Sequence, residues 1–319
     1  MIYKLVFQRA TLALAAVGIL LGAACSAQVP TPSTPSSRLA PALVQVENAP
    51  GSRPQSGLQR ADLVFEYLTE GGISRFTAIY GNPSGPDRIG PVRSARLVTL
   101  RLVRAYGGVL FYSGASDHVQ AQIINEQVPA IGESSDAGRY FARDRSRLAP
   151  HNLFTTKDQL REALEAQQVK VDYPLPVAGE PPAGGDRVVR LSFPQTTSHD
   201  ITYTYDPTSH IYAYADENGP LVDAGDGGRQ IAVTNVVLVR VAHHGAGYTE
   251  DVLGAEGIDY DLAGSGSADV YTRGEHLAAR WSLGQGPLAL KDVDGRSLLL
   301  PAGLTWIHLV DPDVQVQTG

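Results

Sequence analysis

Three carboxylates spaced by four residues, Asp62, Glu66 and Glu70, stand just upstream of an arginine-rich run. Two carboxyl groups sharing a cleft are the working parts of acid–base chemistry on a glycan, where one protonates the leaving oxygen and the other activates water or attacks. On a strand, even spacing puts all three on one face, and on a helix i, i+4 and i+8 do the same. From Arg88 to Ser116 the chain then carries five arginines and no Asp or Glu. Guanidinium forks bind carboxylates and phosphates, so Arg53, Arg75, Arg93 and Arg96, with Ser94, are candidate ligand-binding residues. Gly71 and Gly72 give a ligand room for close backbone approach. His151, in "PHNLF", could orient a ligand or act as a general base, and it joins Asp62, Glu66 and Glu70 as a catalytic candidate. The structural alternative is a buried Arg–carboxylate network that holds layers in register.

The elements that carry these residues follow from pattern. "RIGPVRSAR" predicts a helix over 92–106, with Pro91 in its first turn and Gly107-Gly108 as its stop. Arg93 and Arg96 would then lie near the positive end of the helix dipole. A cation is disfavoured there unless an anion, from a side chain or a ligand, sits beside it. Arg93 and Arg96 are therefore expected in a concave site beside Glu66 or Glu70, near Gly71-Gly72. Arg101 and Arg104 read as a solvated face. "ALVQVEN", "DLVFEYLT", "FTAIYGN" and "GGVLFYSG" read as strands. "DHVQAQIINEQ" reads as a helix capped by Ser116, and 155–168 as a helix capped by Thr156. Strands alternating with helices predict an α/β (or α+β) domain over 41–172. A Pro/Gly-dense linker follows at 173–186. From 187 to 319 the chain is a series of short strands with turn pairs such as Asn218-Gly219 and Asp294-Gly295, which predicts a mainly antiparallel β domain.

The N-terminus places these domains. Lys4 and Arg9 precede an apolar run from Ala10 to Ala24. It is shorter than the roughly 20 residues that cross a bilayer, so residues 1–24 read as a signal peptide. The run ends at Cys25, the only cysteine. A lone Cys cannot form an internal disulfide, and "LGAAC" is close to a lipidation signal, with Leu21 four residues before the Cys rather than three. Residues 25–40 are then a lipidated Cys and a Pro/Ser/Thr-rich tether. The expected location is the cell membrane, lipid-anchored and on its extracytoplasmic side. Loss of the two basic residues Lys4 and Arg9 takes the net charge from −7 to −9. With no basic tail, the chain lacks the phosphate-neutralising surface of a nucleic-acid protein.

Other motifs add no chemistry. "YSGAS" is not a nucleophile elbow. His243-His244 has no third ligand at metal spacing, and "DVDG" is a hairpin turn rather than a calcium loop, so no metal site is expected. No phosphate-binding glycine loop or dinucleotide fingerprint is present, and no cofactor is expected.

The run "VENAPGSRPQSGLQRADLVFEYLTEGGISRFTAIY…RIGPVRSAR" resembles the YerB-like bacterial lipoprotein family, a domain of unknown function. The likeness continues in "YSGASDH", "APHNLFTT", "GSGSADVYTRGEHLAARWS" and "LLPAGLTWIHLV". It covers nearly the whole folded chain, and its matching positions include Asn48, Arg53, Gln55, Glu66, Glu70, Arg75, Arg93 and Arg96. The resemblance implies a two-domain, membrane-tethered, extracytoplasmic protein and brings no settled activity with it. The expected function is a binding module for an anionic envelope ligand or a partner protein. The alternative is an envelope enzyme that uses Asp/Glu acid–base chemistry on a glycan.

Overall fold

A computed structural model describes residues 38–319 apart from 86, 172–174, 176–177 and 285. The expected signal peptide, Cys25 and the tether up to residue 37 lie outside the described residues. β1 (Ala42–Glu47), β2 (Leu63–Leu68) and β3 (Ser74–Tyr80) correspond to the first three predicted strands, and β3 pairs antiparallel with both others. Every residue of β1 and β3 is buried. Strands covered on both faces carry such near-continuous apolar runs. Their side chains still alternate: Val44, Val46, Phe76 and Ala78 enter one core, and Leu43, Phe65 and Ile79 the other.

The next elements are α1 (Leu97–Tyr106), β4 (Val109–Tyr112), α2 (Asp117–Asn125) and β5 (Ala130–Gly132). β4 runs parallel to β1 and β5 parallel to β4, so α2 is the crossover of a βαβ unit. Val98, Leu102, Val119 and Ile123 bury α1 and α2 in the second core. As expected, Ser116 caps α2, its Oγ accepting from Val119 N (3.3 Å). β6 (Leu153–Thr156) leads into α3 (Lys157–Gln167), where Thr156 Oγ1 accepts from Gln159 N (3.2 Å). Leu160 and Leu164 bury α3 in the first core, so helices cover both faces.

Beyond residue 187 the long elements are strands. β7 (Arg190–Thr196), β8 (His199–Asp206) and β9 (Ile211–Asp216) form the centre of a six-stranded antiparallel sheet. Then come β10 (Asn235–Arg240), β11 (His243–Thr249), β12 (Glu256–Tyr260), β13 (Gly264–Thr272), β14 (Glu275–Leu283) and β15 (Thr305–Val310). The region is mainly antiparallel, as expected, but β15 is an exception. It lies parallel between β10 and β2, and so joins the α/β region to the β-rich one. One 11-stranded sheet results, its main strands in the order β14-β13-β10-β15-β2-β3-β1-β4-β5. The smaller sheet packs on the first core, where Tyr203, Tyr212 and Tyr214 meet Val44, Phe76 and Trp306. The described residues form one compact unit.

The helix expected over 92–106 starts five residues later. Its intended first turn is extended chain whose backbone groups are already used. Glu47 N donates to Pro91 O (3.0 Å), Val92 N to Leu153 O (2.7 Å), Arg93 N to Gln45 O (3.0 Å) and Ser113 N to Arg93 O (3.0 Å). A backbone satisfied by neighbouring strands gains nothing by turning helical. Gly90 opens this segment at φ +144°, where a Cβ would come within 2.8 Å of Leu153 O. Arg96 is the residue that caps α1, and Arg93 lies outside the helix.

Candidate functional site

β1 ends in Glu47, and β4 and β5, parallel to it, end just before Ser113 and Glu133. Ser113 Oγ donates to Glu133 Oε2 (2.6 Å). The carboxyl ends of such strands are where open α/β sheets hold ligands. Glu47 is buried, and each of its oxygens holds one cation-forming side chain. Arg93 Nε donates to Oε1 (3.1 Å), and His151 Nδ1 lies 2.8 Å from Oε2. Across the antiparallel ladder Glu47 faces Arg75. Arg75 is only 3% exposed; its Nη1 donates to Ser94 O (3.1 Å), and its Nε has no hydrogen-bond partner among the described residues. Burial, and then the charge of Arg96, lower the Arg75 pKa to about 10, so it stays cationic at neutral pH. The Arg93 side chain is 28% exposed, and its Nη1 and Nη2 likewise have no hydrogen-bond partner among the described residues.

Arg96 sits differently. It is 7% exposed, with Nε donating to Glu70 Oε2 (2.7 Å), Nη2 to Glu70 Oε1, and Nη1 3.2 Å from Glu250 Oε1. Burial pushes the Glu70 carboxyl up, but the hydrogen bond and charge of Arg96 outweigh it and hold it below its ordinary value. Glu250, which follows β11, is raised by burial and accepts from Tyr248 Oη (2.6 Å). These carboxylates answer the dipole at the start of α1. Gly71 and Gly72 make the turn after Glu70 at φ +74° and +73°, a region that favours glycine. Arg101 is fastened to Asp259 on β12, and Arg104, 46% exposed, pairs with Glu126 on the surface.

Glu66 lies on the opposite face of the sheet from Glu70 and is 0% exposed. It accepts from Ser74 Oγ (2.7 Å), Tyr214 Oη (3.2 Å) and Trp306 Nε1 (2.9 Å), joining β2 and β3 to β9 and β15. Burial raises its pKa, but His199 and His308 outweigh that and bring it down to about 2. His199, with Nε2 3.5 Å from Glu66 and Nδ1 3.0 Å from Glu217, is itself opposed by burial yet raised to about 9 by these carboxylates. His308 is lowered to about 4 by burial and is neutral at pH 7. Its Nδ1 is 2.8 Å from Gln195 Oε1 and its Nε2 2.9 Å from Tyr203 Oη, the pattern of a neutral ring. Asn48 Nδ2 donates to Ser74 Oγ (2.8 Å) while its Oδ1 accepts from Arg53 Nη2 (2.9 Å) and Gln55 Nε2 (3.1 Å). Arg53 reaches on to Asp216. His199, Asp216 and Glu217 offer ligand atoms within 4.8 Å of one another, a grouping the sequence reading did not find, and Arg53 already supplies Asp216 with a cation.

The expected set is thus divided. Arg93 and His151 are gathered at Glu47, Arg75 faces it across the ladder, and Ser94 offers its backbone oxygen to Arg75. Arg96 and Glu70 pair beside them, and Arg53 turns toward Asp216. The expectation that Asp62, Glu66 and Glu70 share one face is corrected. Asp62 precedes β2 and accepts from Gly81 N (2.7 Å), Glu66 alone is in the strand, and Glu70 is past it in a short 3-10 turn. The expected anion for Arg93, Glu66 or Glu70, is also corrected to Glu47. Glu47, Glu250, His199, Asp216 and His308 were missed. A carboxylate closing the apolar strand "ALVQVE" was the one signal for Glu47; the others are brought in by residues far along the chain.

Fold and cluster together define a two-region α/β and β-rich protein with a buried Arg–carboxylate network at the strand ends. Residues 30–170 match the family model described as protein of unknown function (DUF3048) N-terminal domain, and residues 189–307 match the C-terminal domain of the same family. The chain belongs to this family, the YerB-like family. It is 29% identical over 281 residues to the protein named "Putative lipoprotein YerB" of Bacillus subtilis (strain 168), covering 86% of this chain and 82% of the relative. It also matches the crystal structure of the YerB protein from Bacillus subtilis with a TM-score of 0.73 and 27% identity, over 90% of this chain and 96% of that one. No helix among the described residues is long and apolar enough to cross a membrane.

Proposed function

We propose that the protein is a lipid-anchored, extracytoplasmic binding module that takes an anionic ligand at Arg93. The observation that carries this is the half-buried Arg93. Glu47 fixes its Nε, its outer nitrogens have no hydrogen-bond partner among the described residues, and the buried cation Arg75 stands across the strand pair from Glu47. A guanidinium preorganised in this way binds an oxyanion with little loss of side-chain freedom. Arg96 belongs to the scaffold, because Glu70 and Glu250 already saturate it. The glycan acid–base alternative loses its support, since no two of Asp62, Glu66 and Glu70 meet in one cleft.

Titration with inorganic phosphate and with glucuronate, followed by calorimetry, tests the binding. The wild type is expected to bind at least one of them. Arg93→Ala is expected to remain folded and to lose that binding by about tenfold or more, one charged hydrogen-bond pair being worth about 1.5–3 kcal/mol. A wild type that binds neither anion, or an Arg93→Ala variant that binds as well, sinks the reading.

The relative's name and the expected signal support anchoring through Cys25. Cells fed an alkyne fatty acid should label the wild type and leave Cys25→Ser dark; equal labelling of the two refutes the anchor.

A further inference from the structure

Glu47 does more than hold Arg93. Its second oxygen lies 2.8 Å from His151 Nδ1. A carboxylate on Nδ1 fixes the neutral ring in the tautomer that carries its proton on Nδ1 and leaves a lone pair on Nε2, the arrangement by which a histidine takes a proton from water or a hydroxyl. The His151 side chain is 28% exposed, and its Nε2 has no hydrogen-bond partner among the described residues. It lies against Gly51, where a Cβ would come within 3.1 Å of it. One buried carboxylate therefore holds a histidine on one oxygen and an arginine on the other, each with a side chain 28% exposed, at the carboxyl end of β1. The ligand class follows from that juxtaposition. A carboxylate held by Arg93 is not itself electrophilic, whereas a phosphoryl group is both the anion that Arg93 can hold and the centre that water can attack.

We propose that Glu47, His151 and Arg93 form a hydrolytic site for a phosphate ester, with His151 as the base. This rests on the anion reading of Arg93. In the step, Arg93 holds the phosphoryl oxygens and a water oxygen forms a bond to phosphorus. His151 Nε2 takes one proton from that water. The bond from phosphorus to the ester oxygen breaks with its electron pair on the face opposite the attacking water, the leaving oxygen takes a proton from solvent, and His151 gives the proton it took back to solvent. The products are the alcohol and the phosphate, and no oxidant or reductant enters. Glu47 is a positioning residue, because it acts through His151 and Arg93.

The test uses the full chain with p-nitrophenyl phosphate and bis(p-nitrophenyl) phosphate, and follows release of p-nitrophenolate. Wild type is expected to turn over at least one of them, and His151→Gln to lose about 100-fold or more in kcat, the range of general-base catalysis. The variant is expected to keep its affinity for inorganic phosphate. If His151→Gln does not fold, as judged by circular dichroism, His151→Ala with added imidazole replaces it, and recovery of turnover by imidazole is the expected result. Glycerol 3-phosphate in solution against phosphatidylglycerol vesicles then separates a soluble from a lipid-borne ester, and hydrolysis of either supports the site. A wild type that binds phosphate but hydrolyses none of these esters overturns the hydrolytic site and leaves the binding module standing. So does a folded His151→Gln variant as active as wild type. A wild type that neither binds phosphate nor hydrolyses an ester overturns the hydrolytic site and also removes the phosphate branch of the anion reading.

Discussion

Arg96→Ala is expected to lower stability by about 3–5 kcal/mol, the cost of leaving buried carboxylates without their cation. Two such groups depend on Arg96: Glu70, which it grips through two nitrogens, and Glu250, 3.2 Å from its third. A cation at the start of α1 is opposed by the helix dipole, but only by about 0.3–1 kcal/mol. The pairing outweighs the dipole, so removing Arg96 relieves the smaller effect and exposes the larger. Arg96→Lys should recover little, since an ammonium cannot reproduce the two-pronged contact with Glu70. Arg93→Ala is expected to cost less, because His151 and Arg75 remain beside Glu47. Urea unfolding of the three variants checks the order. An Arg96→Ala midpoint within 1 kcal/mol of wild type, on the scale set by the denaturant slope, contradicts the scaffold role.

Stability should pass through a maximum near pH 6.5, because three buried groups around Glu66 titrate in opposing directions. Glu66 is lowered from 4.5 to about 2, so its contribution is complete above the ordinary carboxylate value and is lost as pH falls from 4.5 toward 2. His308 is lowered from 6.5 to about 4, so its neutral form supports the fold fully above pH 6.5 and that support fades as pH drops toward 4. His199 is raised from 6.5 to about 9. Its contribution is complete below pH 6.5 and disappears as pH climbs through 9. The acid limb thus begins with His308 and steepens with Glu66, while the alkaline limb belongs to His199. Glu66→Gln, which leaves an amide facing the donors Ser74, Tyr214 and Trp306, is expected to destabilise by about 3–5 kcal/mol and to flatten the alkaline limb, because His199 loses its buried partner. Thermal melts from about pH 4 to 9 test this; a stability profile that rises steadily through pH 9 is incompatible with a charged His199 beside Glu66.

Local pattern was enough to read the three first strands, the capped helices α2 and α3, the β-rich second region and the arginine motif. Apolar runs, a Ser or Thr followed by a helical pattern, and turn pairs act within a few residues of themselves. The start of α1 was not legible, because residues 91–95 find their hydrogen-bond partners on Gln45, Leu153 and Ser113 rather than within a helix. Nor was the fusion of the two regions, since nothing near "TWIHLV" says that it inserts parallel between β10 and β2. The sequence by itself showed an acid-free run of arginines that calls for anions from elsewhere in the chain; the helix dipole invoked for it acts on Arg96 and not on Arg93. Only the tertiary structure decided which ones: Glu47, 46 positions away from Arg93, leaves the outer part of that guanidinium open, and Glu70 with Glu250 closes over Arg96. Charge is felt through space, so the partners of a buried cation are set by which strand ends the sheet brings together, and that order is written in the pairing of strands rather than in their neighbours along the chain.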